Sequence, residues 1–340
     1  MSESPTQDVW TVGRLLKWTA DYFARCGIDA PRLEAEILLA TAMECERIDL
    51  YTRYTEIASD DVRAKYRDLV KRRAAGAPTA HLTGEKEFYS LNFKVTPDTL
   101  IPRPETEHLI IETLDLIKKN YLSAANQNQA EKLTDGEQPQ EPEDSVTDAQ
   151  TGETYIKFVP RSNPLQDVKL NILDVGSGSG IIPITLATRL PSCRFVAVDI
   201  SQPALEVAKQ NAQTHNVADR IEFRHSDLFS AIKPEESFDF ILSNPPYIGE
   251  EERPTLDASV RDYEPAIALF SGPKGTDLIE RLIAQAPGKL NAGGWLLFEI
   301  SPIIHQSVLD IVRSQSELSY ITTINDFAGL ARVVVCRNNR

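Results

Sequence analysis

From Lys169 to the end of the chain, short apolar runs alternate with amphipathic ones. This alternation limits the fold more than any other feature. "KLNILDVG" reads as a strand and "GIIPITLATRL" as a helix; "CRFVAVDIS" and "PALEVAKQNAQTHN" repeat the pair. "IEFRHSDL" and "FDFILSNPP" add strands, and "DLIERLIAQAPGKL", "GGWLLFEI", "SVLDIVRSQSE" and "RVVVCR" continue as helix, strand, helix, strand. Apolar strands separated by helices predict an open, mostly parallel, doubly wound α/β sheet. Such sheets bind ligands beyond the carboxyl ends of their strands. The loops that follow the strands are therefore the place to seek function.

The earlier part of the chain is patterned differently. In "VGRLLKWTADYFARC", Val12, Leu15, Leu16, Thr19, Tyr22 and Phe23 share one helical face. "PRLEAEILLATAM" opens on Pro31, which suits a first helical turn. "SDDVRAKYRDLVKRRAAG" offers Ser59 or Asp60 as a cap, ends on Gly76, and carries a basic last turn that suits a solvated helix terminus. Residues 1–76 are expected to form a small helical bundle domain. Residues 77–119 hold a predicted hairpin, "EFYSLNFKVT", and a segment "IPRPETE" stiffened by Pro102 and Pro104 that leads into a helix from Glu105. Within residues 120–167 the stretch "NQNQAEKLTDGEQPQEPEDSVTDAQTGE" is acidic and polar with almost no apolar residues, so a disordered insert is expected over 120–167. Residues 168–340 form the sheet domain.

Composition removes several function classes. The net charge of −14 argues against a nucleic-acid backbone as the main partner, since such binding needs clustered Lys and Arg. A small ligand or a basic protein partner fits better, and acidity also keeps a protein in solution. Cys26, Cys45, Cys193 and Cys336 have neither metal nor redox spacing, which fits a reducing compartment. His81, His108, His215, His225 and His305 show no ligand spacing, so no metal is expected. The start "MSESPTQDVW" lacks a basic and then apolar leader, and runs such as "WLLFEI" are too short to span a bilayer. A cytoplasmic protein with no membrane contact is the expectation.

The first strand of the sheet domain ends in "LDVGSGSGI". Gly176, Gly178 and Gly180, with Ser177 and Ser179 between them, let the backbone turn tightly against a ligand at a helix N-terminus. A dinucleotide fingerprint needs glycine where Ile181 stands, which weakens that reading. The loop instead resembles the cofactor loop of S-adenosylmethionine-dependent methyltransferases. That ligand carries a sulfonium and no pyrophosphate, and Asp174 can sit near its positive methionine end. Asp199, ending the second strand, can accept both ribose hydroxyls, while Ser201 is the better cap for the next helix. After the third strand, Asp227 can meet the exocyclic amine of adenine and Leu228 can cover the ring, or one of them caps a helix.

The fourth strand ends in "SNPPYI". Pro245 pushes Asn244 toward an extended conformation. Two prolines stiffen the loop and leave the Asn244 side-chain oxygen and nearby carbonyls as acceptors, while Tyr247 supplies a flat face. Two acceptors and a ring suit a planar NH2 group. Such a nitrogen is a poor nucleophile, and hydrogen bonds that strengthen as it becomes cationic favour its transition state.

Together, "GAPTAHLTGEKEFYSLNFKVTPDTLIPRPETE", "ILDVGSGSGIIPI", "VAVDIS", "SNPPYI", "VRDYEPAIAL" and "GGWLLFEI" resemble the PrmC (HemK) family, peptide chain release factor glutamine methyltransferases. The resemblance spans the chain apart from the 120–167 insert. It implies a Rossmann-like S-adenosylmethionine-dependent methyltransferase sheet with a small N-terminal helical domain that helps engage the release factor. It implies methyl transfer to the glutamine amide nitrogen of a Gly-Gly-Gln motif. The cofactor would contact Gly176 to Gly180, Asp199, the turn at Asp227 and Leu228, and Asn244. Asn244, Pro245, Pro246 and Tyr247 would hold the glutamine. Arg103 and Glu105 lie in a family motif without a role legible from spacing. Pro183, early in a helix, and Ser301-Pro302, where relatives carry glycine, depart from the pattern. A ribosomal-protein glutamine methyltransferase shares the same chemistry. An adenine-N6 DNA methyltransferase does too, but would carry a basic DNA-facing domain.

Overall fold

The computed structural model describes residues 9–122, 145–147, 154–156 and 164–340. The chain forms two compact units, one running to Pro102 and including Ile248–Gly275, the other comprising Arg103–Tyr247 and Thr276–Arg340.

The first unit is built on α1 (Val12–Arg25), α2 (Pro31–Met43), the single turn α3 (Asp49–Thr52), α4 (Asp60–Ala74) and α5 (Thr79–Thr83). The Thr11 side chain accepts from Arg14 N at the start of α1, and Ser59, not Asp60, caps α4 through Val62 N. Leu16, Phe23, Leu38, Leu39 and Leu50 are fully buried in its core. The predicted hairpin is β1 (Glu85–Phe88) against β2 (Leu91–Lys94). Its turn residues Tyr89 and Ser90 both have positive φ, as a two-residue turn matched to strand twist requires. The unit runs beyond residue 76 to Pro102 and takes in Ile248–Gly275. Glu264, buried in the returning segment, accepts the Ile101 N–H at 3.0 Å, so "VRDYEPAIAL" closes this unit from within.

The second unit begins with a 3-10 turn, Pro104–Thr106, followed by α6 (Glu107–Ile117). The α-helix therefore starts two residues later than Glu105. Arg103, preceding Pro104, is extended at φ −102° and ψ 140°, the conformation a following proline imposes. Within the expected insert, β3 (Ser145–Thr147) pairs antiparallel with β4 (Thr154–Ile156). Both triplets are rich in β-branched residues, so the expectation of a structureless insert does not extend to them. Residues 123–144, 148–153 and 157–163 of that segment lie outside the described residues.

The central sheet comprises β5 (Asn171–Val175), β6 (Arg194–Asp199), β7 (Ile221–His225), β8 (Phe238–Ser243), β9 (Leu290–Glu299), β10 (Leu318–Asn325) and β11 (Ala331–Asn338). Their order is β10-β11-β9-β8-β5-β6-β7. β5 to β9 run parallel to one another, and β11 pairs antiparallel with both β9 and β10. This is the expected Rossmann-like sheet. The edge strand β10 escapes a reading based on apolar runs because "LSYITTIN" is half polar and mostly partly exposed. After β7 the chain returns to the other side of β5, so β5 and β8 flank the switch point where ligands bind in such sheets.

Two departures from the family pattern find local explanations. Pro183 lies in the first turn of α7 (Ile181–Arg189), where no intrahelical donor is lost. Ser301 is extended, and its hydroxyl accepts from Ile303 N to cap a 3-10 turn, so this loop requires no glycine.

Candidate functional site

The sequence-derived residues of the second unit lie at the carboxyl ends of β5 to β8. β5 delivers Asp174 and the glycine loop. Gly176 and Gly180 have φ of +77° and +84°, so both positions need glycine. At Gly180 a Cβ would also stand 2.8 Å from Ile184 Cδ1 and 3.1 Å from Ala208 Cβ, where the loop presses on α7 and α8 (Gln202–Thr214).

Asp199 at the end of β6 braces this loop. Its Oδ2 accepts the Gly178 N–H at 2.8 Å and its Oδ1 accepts the Ser201 N–H at 2.8 Å. Burial raises its pKa, and these backbone donors hold it back down in part. Each oxygen keeps lone pairs beyond those used, so bracing and accepting hydroxyls are compatible. Ser201 caps α8 through Ala204 N, as expected.

Asp174 is 1% exposed, and neither carboxylate oxygen has a hydrogen-bond partner among the described residues. The neighbouring Ser177 hydroxyl is likewise buried and unpartnered. Burial, then the Asp199 charge, raises the Asp174 pKa well above the usual carboxylate range. An unpaired buried carboxylate is costly unless something cationic meets it. A sulfonium or ammonium ligand in the glycine cradle supplies that charge, so these residues fit S-adenosylmethionine.

After β7 the chain turns at Ser226 to Ile232. Ser226 Oγ donates to Leu228 O at 2.8 Å and accepts from Ala231 N at 2.9 Å. This holds Leu228 at φ +48° with its side chain buried, a strained conformation for leucine. No helix follows, so neither Asp227 nor Leu228 is a helix cap. Asp227 is exposed and pairs with Arg281 at 2.8 Å, a partner that sequence spacing does not reveal.

Asn244, Pro245, Pro246 and Tyr247 follow β8. The Asn244 Nδ2 donates to Thr106 Oγ1 at 3.0 Å, and Thr106 Oγ1 donates to Glu299 Oε2 at 2.7 Å. The Tyr247 hydroxyl donates to Glu299 Oε1 at 3.1 Å. Thr106 ends the 3-10 turn after Pro104, and Glu299 ends β9. With Nδ2 occupied, the Asn244 amide presents Oδ1 as its remaining acceptor. Burial pushes the Glu299 pKa up to about 7, against the lowering effect of the Thr106 and Tyr247 hydroxyls. Burial and the Glu299 charge also push the Tyr247 phenol up, so Tyr247 stays a donor.

Thr106 and Glu299 are absent from the expected site set. One signal was available for Glu299: an acid closing the apolar run "WLLFE" stays buried only with partners. Glu105 sits 3.9 Å from Arg332, which itself pairs with Asp326 at 2.8 Å. No helix of the described residues is long and apolar enough to cross a membrane. No cluster of three or more His, Cys, Asp or Glu among them could hold a metal ion.

Residues 14–84 match the family model described as the PrmC N-terminal domain, and residues 162–259 match that of the methyltransferase small domain. The chain is 39% identical to the release factor glutamine methyltransferase of Rhodopirellula baltica, with 98% of each chain covered. It is 37% identical to the enzyme of that name from Koribacter versatilis, with 91% of each covered. For that of Chlorobaculum tepidum the identity is 34%, over 98% of this chain and 99% of the relative.

Proposed function

This chain belongs to the release factor glutamine methyltransferase family, and on that premise we propose how its own residues carry the reaction. The protein is an S-adenosylmethionine-dependent methyltransferase acting on a glutamine of peptide chain release factors. The finer reading is that the acceptor is the side-chain amide nitrogen in a Gly-Gly-Gln motif, on a protein partner and not on nucleic acid. Cytoplasmic residence follows from that substrate.

S-Adenosylmethionine, when bound, supplies an electrophilic methyl group on a sulfonium centre. Gly176 to Gly180 cradle it, Asp174 balances its positive end, Asp199 accepts its ribose hydroxyls, and Asp227 and Leu228 meet its adenine. Asn244 Oδ1 and the adjacent backbone carbonyls accept the two hydrogens of the glutamine NH2. Tyr247, held by Glu299, and the stiff Pro245-Pro246 turn confine the amide plane. Acceptors aimed at N–H hydrogens bind more strongly as the nitrogen becomes positive, so this arrangement favours the transition state over the ground state.

One observation carries this reading. The Asn244 amide is fixed by Thr106 with its oxygen left as the available acceptor. The test is incubation with methyl-labelled S-adenosylmethionine and an intact release factor, followed by mass mapping. Label should appear on the Gly-Gly-Gln glutamine and vanish when that glutamine is replaced. Label on another residue, or a clear preference for a ribosomal protein, overturns the reading.

A further inference from the structure

A side-chain amide can stand either way round, and the two orientations present opposite chemistry. With Oδ1 toward the substrate, Asn244 accepts an N–H; with Nδ2 there, it repels one. The choice is made behind the residue. Thr106 Oγ1 has one hydrogen, and it points to Glu299 Oε2, leaving only lone pairs to face Asn244. The Asn244 group facing Thr106 must therefore be the donor, Nδ2. The other Glu299 oxygen takes the Tyr247 hydroxyl. Glu299 thus accepts from both sides, and only an ionised carboxylate accepts with both oxygens while donating nothing.

We propose that Thr106 and Glu299 are positioning residues for methyl transfer. The buried Glu299 carboxylate sets the direction of the hydrogen-bond chain Thr106 to Asn244 and so fixes Asn244 Oδ1 as the acceptor, while steadying Tyr247. This rests on the reading that Asn244 receives the glutamine amide.

Protonation of Glu299 reverses the logic. A proton on Oε2 makes the carboxyl a donor to Thr106, whose own hydrogen then turns toward Asn244 and favours the flipped amide. Among the described residues, the groups that act on Glu299 come from three elements. Thr106 and Glu105 come from the 3-10 turn, Tyr247 from the loop after β8, and Arg332 from β11. The Glu105 charge raises the Glu299 pKa and the Arg332 charge lowers it, while Arg332 is shared with Asp326. Arg103 acts on the Tyr247 phenol. Burial outweighs them, so the switch falls near neutral pH. Turnover should rise as pH increases through about 7, where Glu299 ionises.

The full chain with an intact release factor provides the test. Thr106→Val and Glu299→Gln should each lower kcat by about tenfold to a hundredfold, as is typical when the partner that orients a functional side chain is lost. Affinity for S-adenosylmethionine by calorimetry should stay within about twofold in both, so the loss lies in kcat. Thr106→Ser, which keeps the hydroxyl, should restore turnover. In Glu299→Gln the rise of kcat with pH should disappear. The double variant should be no worse than the poorer single, because both cut one chain. If Glu299→Gln fails to fold, Thr106→Val and its serine rescue decide. Normal kcat in Thr106→Val, no rescue by serine, or an unchanged pH profile in folded Glu299→Gln overturns the proposal. Asn244→Ala separates the two readings. Loss of activity there beside active Thr106→Val and Glu299→Gln refutes only the positioning role, whereas normal turnover in Asn244→Ala refutes the acceptor reading beneath it.

Discussion

The Asp199 carboxylate accepts the Gly178 N–H at 2.8 Å, tying the end of the second strand of the central sheet to the middle of the glycine loop that follows the first. A residue expected to hold a ribose therefore also shapes the cradle in which that ribose would lie. The two tasks are separable. Asp199→Asn keeps one acceptor oxygen for Gly178 but loses the charge. It should weaken S-adenosylmethionine binding by the roughly 1.5–3 kcal/mol of a hydrogen bond to a charged group. Asp199→Ala should lose the loop brace as well, and Tm should fall more than in Asp199→Asn. Calorimetric titration and a melting curve on both variants check this. Unchanged affinity in both means Asp199 serves the loop alone.

Gly180 tests the cradle from the other side. Gly180→Ala forces a side chain into left-handed backbone at φ +84° and against Ile184 and Ala208. Strain of this kind costs on the order of 1–3 kcal/mol. Tm should fall, and cofactor affinity with it, because Gly180 is the N-cap from which α7 starts. An alanine variant as stable as the parent would show that the loop relaxes freely.

Much of this architecture was legible because local and global signals agree. The strand-helix alternation, the Pro31 and Ser201 helix starts and the glycine loop each state a backbone requirement within a few residues. The features that were not legible depend on contacts distant in sequence. Thr106 meets Asn244 across 138 positions and Glu299 across 193, and no periodicity encodes such pairs. The Asp227–Arg281 pair is of the same kind. Strand β10 was hidden for another reason: an edge strand needs no continuous apolar run.

Asp174 should trade stability for binding. Its folded-state pKa lies above the ordinary value because the buried charge is unpaired and faces Asp199. A group raised in this way stabilises the fold in its protonated form, and that stability is lost as pH rises through the folded pKa. Asp174→Asn keeps the shape without the charge. Without cofactor, the variant should melt higher than the parent at neutral pH, and its Tm should depend less on pH. Its affinity for S-adenosylmethionine should drop. Thermal scans with and without ligand check both signs. A lower Tm together with unchanged affinity would make Asp174 a structural residue and refute its role in binding.

Glu299 places stability and activity in opposition. Its folded-state pKa of about 7 stands above the ordinary 4.5, so the carboxyl favours the fold most when protonated. That contribution is complete below about pH 4.5 and is lost as pH rises through about 7. The full difference is on the order of 3 kcal/mol. Orientation of Asn244 needs the other state, since only the carboxylate accepts from both Thr106 and Tyr247. Between about pH 5 and 8 the parent protein should therefore lose thermal stability while gaining turnover. Glu299→Gln, neutral at every pH, should remove this part of the stability loss while staying poorly active throughout. A merely structural glutamate predicts that activity follows stability, falling together as the carboxyl ionises. Melting temperature and kcat measured on the same samples across that range decide the matter, and a parallel fall of both would refute the orienting role.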